Sequence, residues 1–271
     1  MAEITGTGDP ARSLSLLWRL VEPAPRGRGA EAGLSVDRVV DAAVALADTE
    51  GLGALSMRRL ATDLGVGAMT LYTYVPGKAE LLDLMVDSVL GEFPSLYSPA
   101  ADEWRARLEA LARASWTQYE RHPWLLHVAA SGRPPLGPGV LTKYELGLQA
   151  VDGTGLDEVA MDAVFTLIEG FVAGTARGVV DQVAAEEATG ITETEWWEAT
   201  APVLDRVYDP ERFPTVTRVG PVAGEAQQAA YDPRRAFEFG LARLLDGIAV
   251  LIDDAPSTPI TEVLPEKSPW P

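Results

Sequence analysis

A chain of 271 residues, 47% apolar and 23% charged, is long enough to bury a sizeable core and has a globular composition. It contains no cysteine and only His122 and His127 as imidazoles, which excludes disulfides and thiolate chemistry and leaves little for histidine-based metal binding or catalysis. The formal net charge of −18 opposes nucleic-acid binding on average, yet residues 1–90 hold 8 Lys or Arg against 12 Asp or Glu while the remainder holds 14 against 28.

The sequence contains no uninterrupted apolar run of the ~18 residues that a membrane span needs. The N-terminus carries acids and has no continuous apolar segment of signal-peptide type, so the expectation is a cytoplasmic protein without a membrane partner.

In chain order, residues 1–33 are rich in Gly, Pro, Arg and Ala around one apolar patch, Leu14–Val21, and read as a flexible arm with one helical turn at that patch. From Ser35 to Gly51 the apolar positions Val36, Val39, Val40, Ala43, Val44 and Ala47 form a one-sided helical stripe. Ser35 suits its N-cap and Gly51 its end. Ser56 caps a second, short helix reaching Leu64, with Leu60, Ala61 and Leu64 inward; Gly65 suits the turn and Val66 its buried plug. A third helix covers roughly Ala68–Tyr74 and stops before Pro76. A fourth starts at Gly77–Lys78 and carries Leu81, Leu82, Met85, Val86, Val89 and Leu90. Two short helices at this spacing form a helix-turn-helix, a motif whose second helix enters the DNA major groove. With Leu71 inward, Met69, Thr70, Tyr72 and Thr73 lie near the exposed face, where they suit base edges and phosphates. The alternative at this point is a structural helical hairpin.

The remainder is helical in pattern: Asp102–Arg121, Pro123–Ala130, Leu136–Gly153, Leu156–Glu187, a piece through Thr192–Val207, and Pro233–Asp253, with residues 131–139 a loop and 207–232 a mobile stretch. The tail from Asp254 is Pro-rich and reads as disordered. No segment alternates with strand period. The expected fold is all-α, with domains at residues 1–33, 34–92, 93–253 and 254–271: arm, DNA-binding unit, helical ligand-binding and dimerisation unit, and tail.

The segment "VDAAVALADTEGLGALSMRRLATDLGVGAMTLYTYVPGKAELLDLM" resembles the DNA-binding domain of the tetracycline-repressor (TetR) family of transcriptional regulators, including its "LYxYxxxKxxLL" run at Leu71–Leu82. "ERHPWLL" at Glu120–Leu126 and "RFPTVTRV" at Arg212–Val219 resemble the tetracycline-repressor type of C-terminal domain. The resemblance implies that Ser56 and Arg58 contact DNA at the start of the second helix. It also implies that Met69, Thr70, Tyr72 and Thr73 form the reading set and that Tyr74 and Lys78 clamp phosphates. Gly67 departs from the family, where a side chain is common. Arg26 and Arg28, in "PRGRG", either insert into the adjacent minor groove or belong to a solvated linker.

The resemblance further implies a cavity for a small-molecule effector among the aromatics of the C-terminal half, with Trp116, Trp124, His127, Phe165, Glu169 and Trp196 as candidate contacts, although plain core is the commoner role for any one aromatic. Trp196 and Trp197 are adjacent on a helix, so at least one should be exposed. Small residues Ala173, Gly174, Ala176 and Gly178 allow close helix approach, which with Arg234–Ile252 suits a homodimer bundle reading a pseudo-palindromic operator; a pairing within one chain is the alternative. No cofactor, metal or catalytic residue is expected. "GVGAMT" and "GLGALS" do not have dinucleotide-binding spacing, and neither a Walker sequence nor HExxH occurs, which leaves an enzyme and an architectural DNA-binding protein as the competing readings.

Overall fold

A computed structural model describes residues 3–20, 33–129, 133–227 and 231–254, and over these the fold is all-α apart from one two-residue parallel pairing. That pairing joins β1 (Glu3–Ile4) to β2 (Val128–Ala129). The helices are α1 (Pro10–Leu17), α2 (Val36–Glu50), α3 (Met57–Asp63), α4 (Ala68–Tyr74), α5 (Lys78–Leu90), the single turn α6 (Phe93–Leu96) and α7 (Trp104–Arg121). After a 3-10 turn at Pro123–His127 follow α8 (Pro138–Gln149), α9 (Glu158–Thr189), α10 (Glu193–Val207), α11 (Pro214–Gln227) and α12 (Pro233–Asp253).

Local chemistry sets the helix ends in the N-terminal half. Ser35 and Ser56 cap α2 and α3 by accepting from the backbone N–H of Arg38 and Arg59. Gly65, at φ +68°, closes α3: its N–H donates to Thr62 O, and Val66 N–H donates to Ala61 O. This is the paired hydrogen-bond pattern that a left-handed residue permits at a helix end. The apolar stripes of α2 to α5 then converge on one core containing Val39, Val40, Leu60, Leu71, Leu81 and Met85. In α2 the structure buries Leu46 where the pattern suggests Val44, which packs only partly against the core.

A second core gathers α7, α9 and α12, around Leu108, Leu111, Ile168, Val172, Phe237 and Leu241. In α9 the buried residues Ala160, Val164, Ile168, Val172 and Ala176 recur every four positions, facing α7 and α12. By length and composition α9 is apolar enough to cross a bilayer, although Asp162, Glu169 and Arg177 interrupt its apolar residues; its interior stripe is packed inside the protein.

Three further expectations need correction. Residues 3–20 are not a flexible arm: α1 is capped by Asp9 and packs on α5, with Leu16 and Leu17 in the first core. The stretch 207–232 contains α11, which starts on Pro214 and accommodates Pro221 internally. Residues 123–129 form a 3-10 turn followed by the β2 pairing rather than the expected helix, and Ala130 lies outside the described residues. Arg26, Arg28 and residues 255–271 lie outside the described residues.

Candidate functional site: the reading head and the cleft behind it

The turn between α3 and α4 sends the two helices off a shared core, and α4 presents one face outward. Leu71 is fully buried, whereas Met69 and Tyr72 are 79% and 42% exposed. Thr73 is also exposed and Thr70 half-buried; the Thr73 hydroxyl donates to Thr70 O at 2.6 Å. Gly67 sits at the N-cap without a side-chain cap, as its lack of a side chain dictates. Tyr74 departs from expectation. It lies three residues after Leu71 on the same inward face, is 3% exposed, and its buried hydroxyl has no hydrogen-bond partner among the described residues. It is a core residue in this conformation and does not offer its hydroxyl to a phosphate.

Two adjacent arginines take different roles. Arg59 is held by Glu50 at 2.8 Å and Asp63 at 2.9 Å, tying α3 to the end of α2, and these carboxylates raise its pKa while Arg59 lowers that of Glu50. Arg58 is exposed and makes no ion pair among the described residues, leaving its guanidinium available. Ser56 Oγ accepts from Arg59 N–H at 3.2 Å as the α3 cap. Lys78 opens α5 and is half-buried.

Behind the reading head lies a cleft of about 670 Å³ whose walls come from both cores. One wall is the end of α2 and the turn after it, residues 47–52; the other is Trp116, Tyr119, Trp124, His127 and the Ala176–Glu187 part of α9. Three of the expected effector contacts, Trp116, Trp124 and His127, thus meet here. The cleft edge is fastened by Asp48 of α2, whose Oδ1 accepts from Trp124 Nε1 at 2.7 Å and lies 2.8 Å from His122 Nδ1. Neither His122 nor Asp48 was singled out by pattern, because each is a lone polar residue on an otherwise ordinary helix flank.

The other expected contacts lie elsewhere. The Phe165 ring packs on α8 above Gly147, where a Cβ would come within 2.2 Å of the ring, and meets Tyr144 edge-on at 5.2 Å. Glu169 is inside an ionic cluster: it accepts from Lys143 Nζ at 2.7 Å and from Ser115 Oγ at 2.6 Å. Lys143 in turn stacks over Phe93, 4.8 Å from the ring centroid. Burial, then the Glu169 charge, pushes the nearby Tyr119 phenol far above its usual range. Trp196 lines a separate groove between α9 and α10, and both it and Trp197 are exposed.

The description "Bacterial regulatory proteins, tetR family" matches residues 39–85, and "Tetracyclin repressor-like, C-terminal domain" matches residues 98–252. The chain belongs to the TetR family of transcriptional regulators. It is similar to the HTH-type transcriptional repressor DrrR1 of Streptomyces coeruleorubidus, with 43% identity over 92% of this chain and 89% of that protein. The tetracycline repressor protein class E of Escherichia coli is 27% identical over 85% of this chain and 98% of its own length. Among solved structures, the TetR family protein ActR of Streptomyces coelicolor in complex with actinorhodin superposes with a TM-score of 0.66 at 28% identity, covering 80% of this chain and 95% of that one. As a TetR-family regulator the chain carries a helix-turn-helix DNA-binding unit and a helical ligand-binding unit.

Proposed function

We propose that this protein is a homodimeric repressor that inserts α4 into the major groove of a pseudo-palindromic operator and is released by a small apolar or aromatic molecule. The observation that carries the reading is the outward face of α4, where Met69 and Tyr72 stand exposed, while Arg58 of α3 is exposed and makes no ion pair among the described residues. Apolar and aromatic side chains on a short recognition helix suit thymine methyls and base edges, while Arg58 and Lys78 suit flanking phosphates.

The effector site is the cleft between the two cores. Its indole and phenol faces supply apolar area, while Arg234 and His127 supply a few polar groups. ActR is described in complex with actinorhodin, which supports a ligand-responsive role for a chain of the same fold. Because one wall of the cleft belongs to α2, a molecule seated there biases how the reading head sits on the effector domain, and by linkage operator DNA weakens the same molecule equally.

Dimerisation uses the outer faces of α9 and α12. The α9–α12 pairing within the chain leaves Leu167, Phe239 and Val250 exposed, and a Cβ at Gly170, Gly174 or Gly247 would meet nothing within 4 Å. Apolar surface around open glycines suits close approach of a second copy, and two copies would place their α4 helices about one DNA turn apart, ~34–36 Å. The test combines light scattering at micromolar concentration with mobility shift on DNA upstream of the protein's own coding region. A dimer that prefers that DNA to a scrambled duplex is expected; a monomer, or equal binding to both duplexes, rejects the reading.

A further inference from the structure

The helix that joins the reading head to the effector domain, α5, carries three acids on one side: Glu80, Asp83 and Asp87, spaced three and four residues apart and all buried. Burying carboxylates on a helix between two cores is costly unless donors meet them. Asp83, 2% exposed, is met by the N-terminal segment: Gly6 N–H donates to Oδ1 and Ser13 Oγ–H to Oδ2, each at 2.9 Å. Asp87, one turn on, is met by the start of α8, where Val140 N–H donates at 2.9 Å. The approach there is tight, since a Cβ on Gly139 would lie 1.9 Å from Asp87 O.

The same N-terminal segment is fastened at other points, and they fall on both sides of α5. Glu3 and Ile4 pair with Val128 and Ala129 after the 3-10 turn. Gly6, at φ +66°, passes so close to Arg133 that a Cβ would sit 2.8 Å from its carbonyl oxygen. Trp18 Nε1–H donates to Leu136 O at 2.9 Å in the loop before α8. Leu16 and Leu17 enter the reading-head core, and Arg19 pairs with Asp37 in the first turn of α2.

We propose that residues 3–20 are a strap that locks α5 to the loop before α8 and so fixes the angle at which the reading head is held on the effector domain. The inference rests on the DNA-binding reading for its functional consequence and on geometry for its existence. Any tilt of α5 against α8 has to break the Asp83 bonds, the Asp87 bond or the Trp18 bond, so the strap sets the free-energy gap between reading-head orientations. It also assigns the N-terminal extension a role within the fold that needs no contact between residues 3–20 and DNA.

The test uses the full-length chain with Ser13→Ala combined with Trp18→Phe, and Ser13→Ala alone as the milder variant. Neither residue lies on the outward face of α4 or in the cleft. Amide exchange is expected to accelerate roughly tenfold in the first turn of α8 and at residues 83–87, with α12 unchanged. Affinity for DNA upstream of the gene is expected to fall about three- to tenfold with an unchanged salt slope. Acceleration confined to residues 3–20, with affinity intact, overturns the strap. A fall in affinity accompanied by a shallower salt slope overturns it too, because the segment would then be neutralising phosphates. If the unmodified protein shows no preference for any DNA, the DNA-binding reading has failed, while the exchange pattern still decides whether the strap exists.

Discussion

Leu60 and Leu71 of the reading head have no exposed surface, whereas α10 and α11 contain no buried residue at all, although those two helices carry Trp196, Trp197, Leu204, Val207, Val216 and Val222. Both regions satisfy the local rules for helices. α10 even has a full capping box, with Thr192 and Glu195 bonding to each other's backbone N–H. The difference lies in convergence: α2 to α5 aim their stripes at a common centre, while α10 and α11 extend from the end of α9 with no partner face among the described residues. Capping makes a helix, and a facing stripe makes it part of a core.

The sharpest way to break this comparison is to truncate one apolar residue on each side. Leu71→Ala is expected to destabilise the protein by about 2–5 kcal/mol in urea or thermal unfolding. Val207→Ala is expected to stay within about 0.5 kcal/mol. A comparable loss for Val207→Ala would mean that α10 is covered in solution and that the contrast is confined to the isolated chain.

Within the reading head, a second contrast separates residues that read from residues that hold. Tyr72→Ala should cost about 1–3 kcal/mol on the operator and little on random DNA. Arg58→Ala and Lys78→Ala should weaken binding to both and lower the magnitude of the salt slope by roughly 0.9 per lost contact, counted twice in a dimer. A smaller effect is expected at the boundary between the cores. Trp124→Phe removes the indole donor to Asp48 and should cost about 1 kcal/mol, visible in the same unfolding experiments.

The smallest expected effect concerns acid and α5. Burial raises the Asp87 pKa, opposed by the backbone donors of Val140 and Gly139 and by the Arg19 charge. A raised carboxyl binds more protons folded than unfolded, so its contribution to stability falls as pH rises from the ordinary value of 3.8 through the raised one, and is flat above. Asp87→Asn should remove that slope; an unchanged slope would mean that Asp87 does not titrate in this window.

The reading head was legible in the sequence because its signals are local. Ser35, Ser56 and Gly65 mark helix ends by chemistry that needs only neighbouring residues, and the stripes on α2 and α3 point to a shared core. Tyr74 misled because its position in the family pattern says nothing about the inward turn of α4 at that residue. The N-terminal strap was missed because its partner, Asp83, lies 70 residues from Ser13 and looks like a solvated acid on an amphipathic helix. Glu169 was ambiguous for the same reason, its partner Lys143 being set by how α8 packs on α9. Polar pairs between distant segments leave no periodic trace, whereas apolar stripes and caps do.

The central claim is that the outward face of α4 reads sequence. It is tested most directly by titrating the full-length protein and its Tyr72→Ala variant against duplex DNA from upstream of its own coding region and against a scrambled duplex, each across a salt series. The account predicts a preference of at least ~10³ for the upstream DNA, cut by about five- to 150-fold in the variant while the salt slope stays the same. Equal affinity of the unmodified protein for the two duplexes, or a preference that Tyr72→Ala leaves intact, would contradict it.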